Sequence, residues 1–239
     1  MSEFITIDSR FNGPPTTGNG GYVCGLLANY IGSQAEVTLI KPPPLDRQLG
    51  ISVASNDSVQ LMDGESIIAV GEATYLQMNT PGPPTYEEVL AAESRYIGFA
   101  SHAYPTCFVC GPDREEGDGL RIFAGRIDGT DFYAAHWTPL PSLSSDDGLI
   151  ASEYLWAALD CPGYFAAAAS EEAVAVLGRF AVNIIVRPRP GERCIVLGWK
   201  LGREGRKRYA GTALFAQDGT LFGNGKATWY DLDHLQRQG

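Results

Sequence analysis

Apolar residues recur along this chain with two different periods, and the changes between them mark its elements. In GNGGYVCGLLANYIG, from Gly18 to Gly32, Val23, Leu26, Leu27 and Tyr30 fall at i, i+3, i+4 and i+7, which predicts an amphipathic helix. EYLWAALDCPGYFAAAA, beginning at Glu153, is a second helical segment. FITID, VTLIKPPP, DFYAAHW and VNIIVRPRP read as strands, the second and fourth stopped by a basic residue and prolines. LMDGESIIAVGEATY and FAQDGTLFGNGKATWY each set an Asp-Gly pair, Asp63-Gly64 and Asp218-Gly219, between apolar runs, which is the short-range signal of a hairpin.

These elements come in the same order twice. A short strand, a helix, a strand ending in prolines and an Asp-Gly hairpin are followed by Gly71-Glu72-Ala73-Thr74 in one half and by Gly225-Lys226-Ala227-Thr228 in the other. Such an internal repeat predicts a duplicated α+β unit, each helix followed by its own antiparallel meander. The division falls near residue 100, giving units 1–100 and 101–239. Between them, Thr85 and Glu88 have capping-box spacing and start a connecting helix. Asp128-Gly129 marks a tight turn between two strands, and the basic run GREGRKRY, from Gly202 to Tyr209, reads as a hairpin tip in preference to a phosphate-binding cluster.

Composition narrows the function classes. The chain has 239 residues, 44% of them hydrophobic, enough for a sizeable core. Its 18 Lys and Arg against 28 Asp and Glu leave a net charge of -10, which disfavours broad contact with nucleic acid or an anionic membrane. Neither a signal-like N-terminus nor an apolar run of membrane-spanning length is present, so a soluble cytoplasmic protein is expected. Five cysteines, an odd number, do not form a secreted disulfide framework and are expected reduced. Cys107-Phe-Val-Cys110-Gly is half of a zinc knuckle; with no second CxxC and His102 the only local histidine, it reads as a pair of loop or buried thiols, and no metal is expected.

The start of the first helix is unusual. Asn19 is followed by Gly20 and Gly21, which cost backbone entropy and add no side-chain packing. Two uses fit: close approach of another element, or exposure of free N–H groups to a negative oxygen.

FNGPPTTGNGGYVCGLLANYIG, the strand ending in KPPP and the run WAALD resemble the hotdog-fold thioesterase superfamily, in its double-hotdog acyl-CoA thioesterase-like branch. The resemblance covers most of the chain, least of all the stretch from Asn79 to Gly119. It implies two antiparallel sheets, each wrapped around a long central helix, packed as an intrachain pseudo-dimer. It also implies an acyl-CoA site between the units, no cofactor, and association into homo-oligomers.

Hydrolysis of a thioester needs a polarised carbonyl and an activated water or a carboxylate nucleophile. The resemblance carries the carbonyl donor to Gly21, with Gly20 beside it and Asn19 as a side-chain helper. It carries the base or nucleophile to Asp160, where a carboxylate late in a helix opposes the dipole unless it is used, caps a turn or pairs with an arginine. Asn29 occupies the matching place in the first half and cannot act as a base, which implies one working site. Glu153 is a second candidate acid. The Thr and Gln that support the family's Asp align with Gly178 and Ala227, leaving Asn183, Asn224 or Thr228 to orient water, or a chain that only binds acyl groups. Arg187 and Arg189, with Lys41 in the matching place, suit CoA phosphates or serve as solvated edge charges.

Overall fold

In the computed structural model, which describes residues 3–54, 58–168 and 173–232, the two periods resolve into eleven strands and three α-helices. The first half carries β1 (Glu3–Thr6), α1 (Gly20–Ala28), β2 (Gln34–Leu39), β3 (Gln48–Val53), β4 (Val59–Asp63) and β5 (Ser66–Ala73). A connecting helix α2 (Tyr86–Glu93) follows, started by the Thr85–Glu88 capping box, and then β6 (Gly125–Arg126). The second half repeats the order with β7 (Phe132–Trp137), α3 (Ser152–Ala168), β8 (Ala175–Ile184), β9 (Cys194–Glu204), β10 (Lys207–Ala216) and β11 (Leu221–Asp231).

The turns are where their chemistry places them. Gly64, Gly129, Gly205 and Gly219 all have φ between +56° and +91°, the conformation that closes β4–β5, β6–β7, β9–β10 and β10–β11. GREGRKRY is accordingly a hairpin tip, with Lys207 opposite Glu204.

The strands run in the order β1-β3-β4-β5-β2-β8-β11-β10-β9-β7-β6, all antiparallel. Outward from the centre, β2-β5-β4-β3-β1 on one side matches β8-β11-β10-β9-β7 on the other, so the repeat in sequence is a repeat in topology. Two separate sheets were expected; instead β2 pairs with β8 from Gln34↔Asn183 to Thr38↔Arg179, and a single eleven-stranded sheet results. Each half would otherwise present β2 or β8 as an open edge of unpaired backbone groups, and pairing the two satisfies both.

Helices α1 and α3 pack on each other against one face of this sheet. Alternation along β9 divides the core: Cys194 and Val196 join the cluster around α1 and α3, whereas Ile195, Leu197 and Trp199 join a smaller cluster with Val89 and Ala92 of α2. α1 and α3 meet through glycine. A Cβ at Gly21 would lie 2.5 Å from Asp160 Cβ, and one at Gly25 would lie 2.5 Å from Glu153 Cα, so the helices approach more closely than any side chain allows. No helix among the described residues is long and apolar enough to cross a membrane.

Helix α3 corrects one expectation. A carboxylate late in the helix is expected at Asp160, but α3 runs on through Pro162 and Gly163 to Ala168 and holds Asp160 in its interior. Proline inside a helix forfeits a hydrogen bond at a cost of roughly 3 kcal/mol. Burial offsets this: Leu155, Trp156, Leu159 and Phe165 are all within 3% of full burial.

Candidate functional site

The N-terminus of α1 abuts the middle of α3, and this contact fixes Asp160. Its Oδ2 accepts from Gly21 N–H at 2.9 Å and from Asn19 Nδ2 at 3.1 Å. Asn19 also caps α1, its Oδ1 accepting from Tyr22 N–H at 2.9 Å, so one amide side chain orients both the helix and the carboxylate. Asp160 is 2% exposed, and its Oδ1 has no hydrogen-bond partner among the described residues. Burial pushes the carboxyl up to about 7, against the opposing pull of the Gly21 and Asn19 donors, and the neighbouring Cys107 adds to the rise.

Both uses foreseen for the glycines are therefore present in altered form. Gly21 is a close-packing glycine, and its amide is taken by Asp160 rather than left for a ligand. The N–H of Gly20, at the first position of α1, has no acceptor among the described residues.

Asp160, Asn19 and Gly20 line a cavity of about 670 Å³. Its walls are largely apolar and aromatic: Leu39, Ile97, Tyr164, Phe165, Leu177 and Trp229. Trp229 is 5% exposed and its Nε1 has no partner among the described residues, which sets a buried donor in the same cavity as the buried acceptor Asp160 Oδ1. Lys41, exposed and hydrogen-bonded to Ser66 Oγ at 3.1 Å, also contributes to the lining, as does Gly178, one of the two positions without a supporting side chain. The other, Ala227, is fully buried outside that lining.

Four expected site residues are elsewhere. Glu153 accepts from Asn29 Nδ2 at 3.1 Å, in the first turn of α3. Asn183 sits in β8, opposite Gln34 and Asn224. Arg187 is held by Asp147, by Ser145 Oγ at 3.0 Å and by Ile150 O, and Arg189 is an exposed residue of the turn whose backbone N–H donates to Glu192. Asn29 and Arg187 instead line a second cavity of about 500 Å³, beside the other end of the α1–α3 contact.

The cavity also brings together what is scattered in sequence. The Sγ atoms of Cys107, Cys110 and Cys161 lie within 4.8 Å of one another, all three residues are buried, and all three belong to the lining. The Cys107 and Cys161 sulfurs are 3.9 Å apart, and Asn19 Nδ2 lies 3.9 Å from Cys107 Sγ. His102 Nε2 is 3.3 Å from Cys110 Sγ. The wall formed by Ile97 and residues 101–104 comes from a stretch after the connecting helix in which the sequence singled out only His102 and gave it no site role.

A large antiparallel sheet with few helices, α1 and α3 packed against it, fits the hotdog type of fold. Solved structures agree. The chain is similar to the tesB protein of Mycobacterium avium subspecies paratuberculosis at 12% identity and TM-score 0.63, with 96% of this chain and 92% of that one covered. It is similar to a conserved protein of unknown function with a hot dog fold from Alicyclobacillus acidocaldarius at 11% identity and TM-score 0.62, over 96% and 92%. It is also similar to the acyl-CoA thioesterase II TesB2 of Mycobacterium marinum, at 11% identity and TM-score 0.62 over 96% and 92%. No protein-family model matches the sequence, and no curated protein does.

Proposed function

We propose that this chain is an acyl-CoA thioesterase built as two hotdog units, residues 1–100 and 101–239, with Asp160 as its general base or nucleophile. The observation that carries it is a buried carboxylate with one oxygen held by Gly21 and Asn19 and the other without a partner, on the wall of an apolar cavity. The name of the similar TesB2 structure supports the substrate class.

With the acyl chain against Leu39, Leu177 and Phe165 and the CoA phosphates toward Lys41, Asp160 Oδ1 takes a proton from water as that water attacks the thioester carbonyl. The oxyanion forms at the start of α1, where the Gly20 N–H and the positive end of the helix dipole stabilise it. Collapse of the tetrahedral intermediate breaks the C–S bond, the proton on Asp160 passes to the departing CoA sulfur and restores the carboxylate, and the acid product leaves by the cavity. Gly21 and Asn19 hold Asp160 in place, and Asn29 at the corresponding position leaves the second cavity without a base.

A non-catalytic acyl-CoA binder of the same fold is favoured by one observation: Gly178 supplies no side chain to the cavity that would orient water. Release of free CoA from short, medium, long and aromatic acyl-CoAs, followed by mass spectrometry, separates the two. Turnover on at least one ester, reduced about 10³-fold or more in Asp160→Asn, is expected. Absence of turnover throughout, with an acyl-CoA raising thermal stability, establishes the binder instead.

A further inference from the structure

We propose that Cys107, Cys110 and Cys161 form a zinc-binding site whose fourth coordination position opens on the cavity beside Asp160. Zinc is bound by thiolates at ~2.3 Å in a tetrahedron, which requires sulfur-to-sulfur edges of about 3.8 Å. The Cys107–Cys161 separation of 3.9 Å meets this, and all three sulfurs fall within 4.8 Å of one another without rearrangement of the backbone. The cluster is preorganised by its turn. Cys107 N–H donates to Tyr104 O and Gly111 N–H to Cys107 O, each at 2.9 Å. A Cβ at Gly111 would sit 2.5 Å from Pro105 O and 2.6 Å from Cys107 N, so any side chain there would open the turn that brings the first two sulfurs together.

His102 has a different role from the cysteines. Its Nδ1 accepts the Tyr104 N–H at 2.9 Å, which leaves the proton on Nε2, and Nε2 points to Cys110 Sγ at 3.3 Å. A ring in that tautomer donates a hydrogen bond to a ligating thiolate and does not itself ligate. Asn19 Nδ2 lies 3.9 Å from Cys107 Sγ, so a second donor faces the sulfurs. Three protein ligands and one open position is the arrangement of zinc sites that bind an exchangeable water or substrate atom, and soft thiolates select zinc over magnesium or calcium. Because all three cysteines line the cavity, that position faces the space assigned above to the acyl thioester. The absence of metal expected from the CxxC alone is thereby revised: the third thiol stands 54 residues from Cys107 and arrives on α3.

The test is independent of turnover. The full-length reduced protein, stripped of metal, is titrated with Co²⁺ and separately with Zn²⁺, the first read by its thiolate-to-cobalt charge-transfer absorption and the second by elemental analysis after gel filtration. One equivalent of either ion is expected. Cys161→Ser and Cys110→Ser should each retain less than about a tenth of the zinc, while Cys24→Ser and Cys194→Ser, which alter buried thiols outside the cluster, retain it all. Reduced wild type that acquires no charge-transfer band overturns the proposal whether or not the variants fold. So does zinc that survives Cys161→Ser, or a Cys107–Cys161 disulfide forming in air-exposed protein with Zn²⁺ present.

Discussion

Replacing Gly25 by alanine tests the helix contact on which the whole site depends. In an isolated helix the change would stabilise by about 1 kcal/mol, because glycine is the poorer helix former. Here the new methyl would stand 2.5 Å from Glu153 Cα, 2.9 Å from Trp156 Cβ and 3.0 Å from Glu153 Cβ. Carbon atoms pack at about 3.5–4.0 Å, so α1 and α3 must separate by about 1 Å, and a backbone atom cannot rotate aside as a side-chain tip would. Overpacking of this kind costs up to about 3 kcal/mol. Against the propensity gain, a net loss of about 2 kcal/mol remains, or a fall in Tm of about 4–8 °C for a chain of this size. Urea unfolding of Gly25→Ala beside wild type measures it, with Gly82→Ala as control, since a Cβ at Gly82 meets nothing within 4 Å. A Gly25→Ala protein as stable as wild type, or more stable, would refute the close approach of the helices and with it the positioning of Asp160 by Gly21.

Other expectations follow from single contacts. Arg208 is 2% exposed and its guanidinium donates to Asp231 at 2.5 Å and 3.1 Å, so Asp231→Asn, which weakens both charge-assisted bonds, should cost about 1.5–3 kcal/mol in urea unfolding. The Glu93 carboxylate, bonded to the His136 ring at 2.6 Å, raises the His136 pKa above its ordinary value. That stabilisation is full below pH ~6.5 and disappears as pH rises through the raised folded-state value, so Glu93→Gln should lower Tm at pH 5.5 and leave it nearly unchanged at pH 9. With the imidazole 40% exposed, the acid-side difference should be no more than about 1 kcal/mol, and an equal loss at both pH values would contradict the pairing. Ile97→Trp, at a cavity-lining position 46% exposed, should keep stability within about 0.5 kcal/mol while reducing turnover or binding of long acyl-CoAs more than short ones.

The features legible in the chain before folding are local ones. Asp-Gly pairs at 63–64, 128–129 and 218–219 close turns because glycine alone reaches positive φ without cost, and Thr85 with Glu88 starts α2 because their side chains satisfy the first amides of that helix. The duplicated order of strands and helices was legible for the same reason: each element is specified by side chains a few residues apart. Contacts between distant segments arise only when the chain has folded. Nothing near β2 or β8 announces that the two pair into one sheet, since an edge strand carries no mark of its partner. Pro162 by its local chemistry disfavours a helix, yet the burial of α3 outweighs its missing hydrogen bond. Asp160 and Gly21 are 139 residues apart and Cys107 and Cys161 are 54 apart; only the close approach of α3 to the glycines of α1 brings the carboxylate to its donors, and only the fold brings the third sulfur to the other two. The chemistry of this protein therefore resides in contacts whose energy comes from desolvation and close packing, quantities that no stretch of chain possesses until the fold has buried it.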